Sequence, residues 1–320
     1  MRTALIGYGN VAKAFARLLF DKRSVYPFRI VGIHQRRGTA YDDHGLGLEP
    51  QFGEPAGSLN EFLERAQPDV VIEITDLNPD SGEPAISHIR AAFARGIHVI
   101  TANKGPIAHA YAALCREARR AQVEFRFEST VMDGAPVFNQ FRNNLPGVNV
   151  FGFTGVLNST SKIVVAAMQR GLTMEDGIRE AQVMGIAEAD AFYDIDGWDS
   201  AAKTAALANV LMDAETTPQQ VMRSGLRDLT TEQAVEYARA GQSILLVSRA
   251  MRPEDGSLKL QVRPEVVPQT DLLATVAGSS NLLLFHTGLM GTIGTVSIRP
   301  GVEQTAYGIF SDLVDIAKSV

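Results

Sequence analysis

Residues 3–12 read Thr-Ala-Leu-Ile-Gly-Tyr-Gly-Asn-Val-Ala, and this stretch decides the fold. A short apolar run ends at Gly7, and a helical pattern of apolar residues follows over 11–20. A strand that stops on Gly-x-Gly-x-x-Ala and opens a helix is the context in which that spacing carries meaning. Gly7 permits a tight turn. Gly9 leaves the backbone bare, so a pyrophosphate can reach the free N–H groups and partial positive charge at the helix start, Asn10 and Val11. Ala12 is small enough for the helix to lie close on the strand. Gly7, Gly9, Asn10 and Val11 are therefore expected to bind a dinucleotide.

The alternation continues outward from this turn. Residues 28–34, 69–74, 97–101 and 123–127 read as strands, and 84–95 and 107–121 as helices. That order means a parallel sheet with helices on its faces. Residues 42–55 read as a surface loop. In an NAD site, an acidic residue ending the second strand holds the ribose 2′-hydroxyl. Here the segment is His34-Gln35-Arg36-Arg37-Gly38, without a carboxylate. Arg36 and Arg37 can grip a 2′-phosphate, which favours NADP and leaves NAD open.

After Gly134 the order changes. Strand-like runs at 149–157, 243–251, 258–262, 272–276, 281–286 and 295–299 mix with helical patterns at 162–169, 174–184 and 200–213, and 305–318 is helical again. The expected class is α/β: a Rossmann-like dinucleotide-binding domain (1–135 with 300–320) plus an α+β substrate-binding and dimerisation domain (136–299). The 320 residues suit two domains with a real core. A hydrophobic fraction of 45% with 21% charged residues excludes disorder, collagen and coiled coil. The net charge of −6 argues against a nucleic-acid surface. The single Cys115 excludes an internal disulfide and a cysteine-rich zinc site. No membrane-length apolar run or signal peptide is visible, so a cytoplasmic protein, complete at its N-terminus, is expected.

Residues 185–203 are the richest chemically: Gly185-Ile-Ala-Glu188-Ala-Asp190-Ala-Phe-Tyr-Asp194-Ile-Asp196-Gly-Trp-Asp199-Ser-Ala-Ala-Lys203 holds five carboxylates and one lysine. Asp199 and Lys203 stand four apart, on one face of a helix. Ala201, Ala202, Ala205, Ala206 and Leu207 make that helix apolar. Desolvation and the positive helix end lower the lysine's pKa, while Asp199 raises it. Such a lysine can exchange a proton with a carbinol or carbonyl oxygen. A solvated i,i+4 ion pair beside a helix cap is the competing reading.

At this point the chain resembles the homoserine dehydrogenases. Their Gly-x-Ala-Glu-x-Asp and Asp-x-x-Gly-x-Asp-x-x-x-Lys patterns match Gly185, Ala187, Glu188, Asp190, Asp194, Gly197, Asp199 and Lys203. Thr101-Ala102-Asn103-Lys104, Glu128-Ser-Thr-Val131-x-x-Gly134-x-Pro136, Gly155-Val-Leu-Asn158-x-Thr160, Pro300-Gly301 and Thr305-Ala306 match further segments, in order, from residue 5 to about residue 315. The resemblance implies NAD(P)-linked interconversion of L-aspartate 4-semialdehyde and L-homoserine, in the biosynthesis of threonine, methionine and isoleucine. It implies Lys203 as proton donor and acceptor oriented by Asp199, with Lys104 assisting. Glu188 and Asp194 would hold the substrate, with Thr160 and Ser159 lining its pocket. The nicotinamide would lie near Thr75, Asp76, Asn103 and Lys104. A monovalent cation, usually sodium, would be bound by Glu128 and carbonyls near Val131 and Asp133. The resemblance also implies a homodimer, and no regulatory amino-acid-binding domain after the final helix.

The chain departs from that pattern in four segments. Ser159 and Lys162 replace glycine and asparagine, Ala191 replaces proline, Met132-Asp133 replaces glycines, and Leu245 stands where lysine is frequent. Ser159 and Lys162 beside the pocket motivate a second reading, a dehydrogenase of a related amino aldehyde or amino alcohol. A dinucleotide-binding protein without turnover is the third.

Overall fold

A computed structural model describes residues 1–187 and 190–319. The chain divides into two units, Met1–Asn139 with Gly301–Val320, and Gln140–Pro300.

The first unit begins with β1 (Arg2–Ile6), α1 (Asn10–Lys22), β2 (Arg29–Gln35), β3 (Gly38–Tyr41) and α2 (Leu59–Ala66). It continues with β4 (Val70–Glu73), α3 (Ala85–Phe93), β5 (His98–Thr101), α4 (Lys104–Ala121) and β6 (Phe125–Arg126). The sheet order is β3-β2-β1-β4-β5-β6. The chain moves one way from β1 to β3 and then crosses to β4 on the other side. Ligands of open α/β sheets bind at the carboxyl ends of the strands flanking such a reversal, here β1 and β4. All neighbours pair parallel except β3, which runs antiparallel to β2 with Gln35 opposite Gly38. Arg36 and Arg37 thus form a two-residue hairpin loop, where the sequence pattern gave a plain parallel sheet. Buried on both faces, β4 is apolar throughout except for Glu73.

The second unit contains β7 (Val150–Val156), α5 (Ser159–Gln169), α6 (Met174–Val183), α7 (Phe192–Ile195), α8 (Trp198–Leu211), β8 (Met222–Arg223) and α9 (Thr231–Arg239). Then come β9 (Gln242–Met251), β10 (Lys259–Pro268), β11 (Asn281–Thr287) and β12 (Gly291–Ser297). Its sheet order is β12-β11-β7-β9-β10-β8. One apolar cluster joins Val164, Val165 and Met168 of α5 to Ile195, Ala234 and Ile244. A second joins Val156, Val247 and Leu282 to Leu273 and Val276. The expected strand at 272–276 is instead a 3₁₀ turn, Leu272–Thr275. The reason is local: the Asp271 carboxylate accepts the Leu273 N–H at 2.8 Å and winds the chain.

After the second unit, α10 (Val302–Ser319) returns to the first. Its Ala306, Ile309, Phe310, Leu313 and Ile316 pack with Leu5, Phe15, Leu19 and Ile33 in one core. Asp312, fully buried on α10, accepts the Glu128 N–H at 2.8 Å and the Asn139 side-chain amide at 2.9 Å. Burying this carboxylate is tolerable because it is hydrogen-bonded. No helix among the described residues is long and apolar enough to cross a membrane.

Candidate active site

In the first unit the glycine turn has the geometry a phosphate needs. Gly7 takes φ +100°, and a Cβ there would lie 2.5 Å from the Ile74 carbonyl oxygen of the neighbouring strand end. Around Gly9, by contrast, a Cβ would meet nothing within 4 Å. The first residue has no side chain because the protein fills its space. The second has none although the space is open, which is what close approach of a ligand requires. Gly9 stands at the N-cap of α1, whose first turn carries no acidic residue to compete with an anion. A cavity of about 490 Å³ opens here, lined by Gly7, Gly9, His34, Arg36, Arg37, Thr75, Asp76 and His88 among others. Asn10 is exposed at the start of α1, while Val11 packs its side chain on the core and offers only its backbone. These features fit a dinucleotide: a bare turn, free helix N–H groups, and cations where the 2′-substituent of its ribose would be read.

The floor of that cavity is a buried network. Glu73, fully buried at the end of β4, accepts from the Thr75 N–H at 3.1 Å and hydroxyl, and from the Thr101 hydroxyl at 2.9 Å. His88 Nδ1 lies 3.7 Å from it. Asn103 caps α4, its Oδ1 accepting the Gly105 N–H at 2.9 Å. Its Nδ2 donates to the Thr75 and Asp76 carbonyls at 3.2 and 3.3 Å. Asn103 therefore fixes the Thr75–Asp76 backbone, and Lys104 follows it as the first residue of α4. Glu73 and His88 were missed from sequence; the signal was one carboxylate in an otherwise apolar strand.

In the second unit, Lys203, Asp199, Asp194, Asn158 and Thr160 come together. Gly197, at φ +79°, turns the chain into α8 and places Asp199 in its first turn. The Lys203 Nζ sits 2.8 Å from Asp199 Oδ2 and donates to the Leu157 carbonyl at 2.7 Å. Both side chains are mostly buried, at 16% and 12% exposure, which removes the solvated-pair reading. Asn158 caps α5, accepting the Ser161 N–H at 2.8 Å through Oδ1. That leaves its Nδ2 to donate to Asp194 at 2.7 Å and Asp199 at 3.0 Å. The cap thus holds two carboxylates side by side. Burial first, then the Asp199 charge, raises the Asp194 pKa, with Thr160 and Asn158 hydrogen bonds opposing. Thr160 is buried, and the Ser159 hydroxyl donates to the Ser279 carbonyl at 3.1 Å. Lys162 is buried as well, donating to the Ser280 carbonyl and to Asn281 Oδ1.

The acidic run does not act as one cluster. Asp196 pairs with Arg227, its Oδ2 at 2.8 Å from Nη2. Asp190 is exposed and accepts the Phe192 N–H at 3.0 Å. Glu188 lies outside the described residues. Asn158 is the functional side chain to which the sequence patterns give no role; its place just after β7, in a capping position, was the signal.

Glu128 is 2% exposed and its oxygens are engaged by the backbone. Oε1 accepts from Val137 and Phe138 at 2.6 and 2.9 Å, and Oε2 from Asn139. This carboxylate therefore ties the loop to residues 137–139. Asp133 takes φ +56°, and its carboxylate accepts the Thr305 hydroxyl at 3.4 Å. Among the described residues, no three His, Cys, Asp or Glu side chains are grouped to hold a metal ion.

The homoserine dehydrogenase family model matches residues 136–314, and the model of the homoserine dehydrogenase NAD-binding domain matches residues 7–128. An NAD(+)-dependent homoserine dehydrogenase of Pseudomonas canavaninivorans is 33% identical over 339 residues, covering 99% of this chain and 96% of that protein. A solved structure of a putative homoserine dehydrogenase from Archaeoglobus fulgidus superposes with a TM-score of 0.88 at 29% identity, covering 99% of both chains. A hyperthermophilic archaeal homoserine dehydrogenase in complex with NADPH gives a TM-score of 0.83 at 26% identity, over 100% of this chain and 98% of that one.

Proposed function

The chain belongs to the homoserine dehydrogenase family, and from that membership we propose how its residues carry out the reaction. The activity is that of an NAD(P)-dependent oxidoreductase, interconverting L-homoserine and L-aspartate 4-semialdehyde. The observation that carries the assignment of residues is the buried Lys203–Asp199 pair held against Leu157 and Asn158. When bound, the nicotinamide supplies a hydride acceptor or donor. Lys203 takes the hydroxyl proton as homoserine is oxidised and returns it to the oxygen as the aldehyde is reduced. Asp199 and the Leu157 carbonyl fix the direction in which the ammonium points. Asp194, with Glu188, holds the substrate's ammonium, and Ser159 and Thr160 line its pocket. Much of the rate gain comes from orientation and charge placement.

Gly7, Gly9, Asn10 and Val11 receive the pyrophosphate, and Thr75, Asp76, Asn103 and Lys104 the nicotinamide end. Arg36 and Arg37 lining the cavity favour NADP. Glu128 and the backbone carbonyls near Val131 and Asp133 would hold a sodium ion, the Glu128 oxygens also accepting from the Val137, Phe138 and Asn139 N–H groups. A homodimer forms on the face of the second sheet where buried Thr154 and half-buried His286, Arg249 and Glu265 make a polar row, with Leu289 and Val296 exposed nearby in the chain. A cytoplasmic location suits the cofactor.

A spectrophotometric assay at 340 nm, with L-homoserine and NAD or NADP, with and without sodium or potassium, tests the reading. Turnover with NADP, stimulated by sodium, is expected. Ser159 and Lys162 motivate the second substrate reading, an amino alcohol related to homoserine. A KM for L-homoserine far above the millimolar range, with a better substrate in a panel of amino alcohols, would establish it.

A further inference from the structure

The family pattern has asparagine where this chain has Lys162, and the structure puts that lysine inside the second unit at 6% exposure. A lysine this buried is uncommon and must satisfy its N–H groups. Lys162, in the first turn of α5, does so on the Ser280 carbonyl and the Asn281 side chain, at the start of β11. Lys203 satisfies its own ammonium on Leu157, just past the end of β7. The two strands are adjacent, and the register that sets Leu282 opposite Val156 brings Asn281 beside Leu157. Two ammonium groups are therefore anchored at one end of one sheet. Lys203 is faced by Asp199 on α8 and Asp194 on α7, and the charged group that acts on Lys162 is Lys203 itself. Asp199 pairs directly with Lys203, not with Lys162. Ser280 and Asn281 offer only neutral acceptors, and the Arg299 backbone N–H closes on the Ser280 hydroxyl at 3.2 Å.

We propose that Lys162 is a positioning residue for proton transfer: anchored one strand away from Lys203, it makes the two lysines hold their protons as a pair, and its charge sets how readily Lys203 gives one up. Two like charges anchored at the same sheet end, both largely out of solvent, oppose each other, so the pair sheds its first proton more easily than an isolated lysine. Burial pushes the Lys162 pKa down to about 7, and the Lys203 charge pushes in the same direction. The consequence is a protonation step close to neutral pH beside the proposed acid–base group. The asparagine of the family pattern would not provide it.

This inference rests on the proton-transfer role proposed for Lys203, and the two are separable by experiment. Lys203 acylation by an amine-selective reagent, read by mass spectrometry across pH 5–11, reports its protonation without turnover. The variants are Lys162→Met, which removes the charge, and Lys162→Arg, which makes it permanent. The Lys203 midpoint should lie ~0.5–1 unit lower in K162R than in K162M. The pH profile of kcat for L-homoserine oxidation should show an inflection near neutrality in the wild type that K162M lacks. Equal Lys203 midpoints in the two variants, with kcat changed by one factor at every pH, would make Lys162 a purely structural tie and overturn the proposal. If K162R does not fold, the wild type and K162M give the same decision through the inflection alone. A shifted midpoint in a wild-type protein that turns over no L-homoserine would instead fault the functional reading.

Discussion

The two units build their sites from different material. In the first, the turn at Gly7 and Gly9 works through what is absent: without Cβ atoms, the backbone N–H groups of α1 become a surface that an anion can reach. In the second, side chains from the ends of β7, α5, α7 and α8 converge, and each fixes another. A backbone site is encoded within six consecutive residues. A side-chain site is encoded across dozens, and its members depend on one another.

The strongest way to break that contrast is Lys203→Met. It removes the proposed proton carrier and leaves the first unit untouched. We expect kcat to fall by ~10³-fold or more, with the NADPH dissociation constant, measured by fluorescence titration, within a factor of ~2. A variant retaining a tenth of the wild-type kcat would remove Lys203 from the chemistry.

The two glycines sharpen the first half of the comparison. Gly9→Val adds bulk into open space, so the fold should keep its melting temperature while NADPH affinity drops by ~10-fold or more. Gly7→Ala drives a methyl toward the Ile74 carbonyl from a positive-φ position. It should cost ~2 kcal/mol or more of stability in denaturant unfolding. The reverse pattern, with Gly9 structural and Gly7 indifferent, would mean that the turn is not a phosphate cradle.

A third effect is smaller and concerns cofactor choice. Arg36→Ala with Arg37→Ala shortens the hairpin cations lining the cavity. The KM for NADP should rise ~10-fold while that for NAD changes by less than ~2-fold. Equal changes for both would show that neither arginine reads the 2′-phosphate.

The same contrast explains what the sequence made legible. The glycine turn, the alternating strands and Asp199–Lys203 are local patterns, visible at spacings of two to four residues. Asn158 as the hub of the second site is not local: its donors reach Asp194 and Asp199, 36 and 41 residues away, which no periodicity shows. Lys162 stood out only as a departure from a pattern, and its burial against β11 could not be read from a single position. The short β3 escaped notice because four residues carry too little alternation. The helix α9 escaped because its signal is a capping box, Thr230 with Gln233, and its only buried residue is Ala234. The motif matches named Asp194 as a substrate-binding residue but gave no reason for its pairing with Asp199.

That pairing leads to the smallest expected effect, Asp194→Asn. The native Asp194 pKa is raised, by burial first and by the Asp199 charge second. A carboxyl whose native pKa lies above its unfolded value binds its proton more tightly in the folded state. Its stabilising contribution is therefore complete below the unfolded pKa, near 4, and is lost as pH rises through the native pKa. At pH 7 the wild type bears the cost of a partly buried carboxylate beside another. Asparagine at 194 removes that charge while keeping an oxygen to accept from Asn158 and Thr160. D194N should thus be more stable than the wild type at pH 7 by ~1 kcal/mol in urea unfolding, and the gain should shrink as pH falls toward 4. Its kcat/KM for L-homoserine should nonetheless fall, since the substrate's ammonium loses a carboxylate. A variant both less stable at pH 7 and unimpaired toward L-homoserine would show that the two carboxylates are held together for the fold, and that the second unit's site is organised around Lys203 and Asp199 alone.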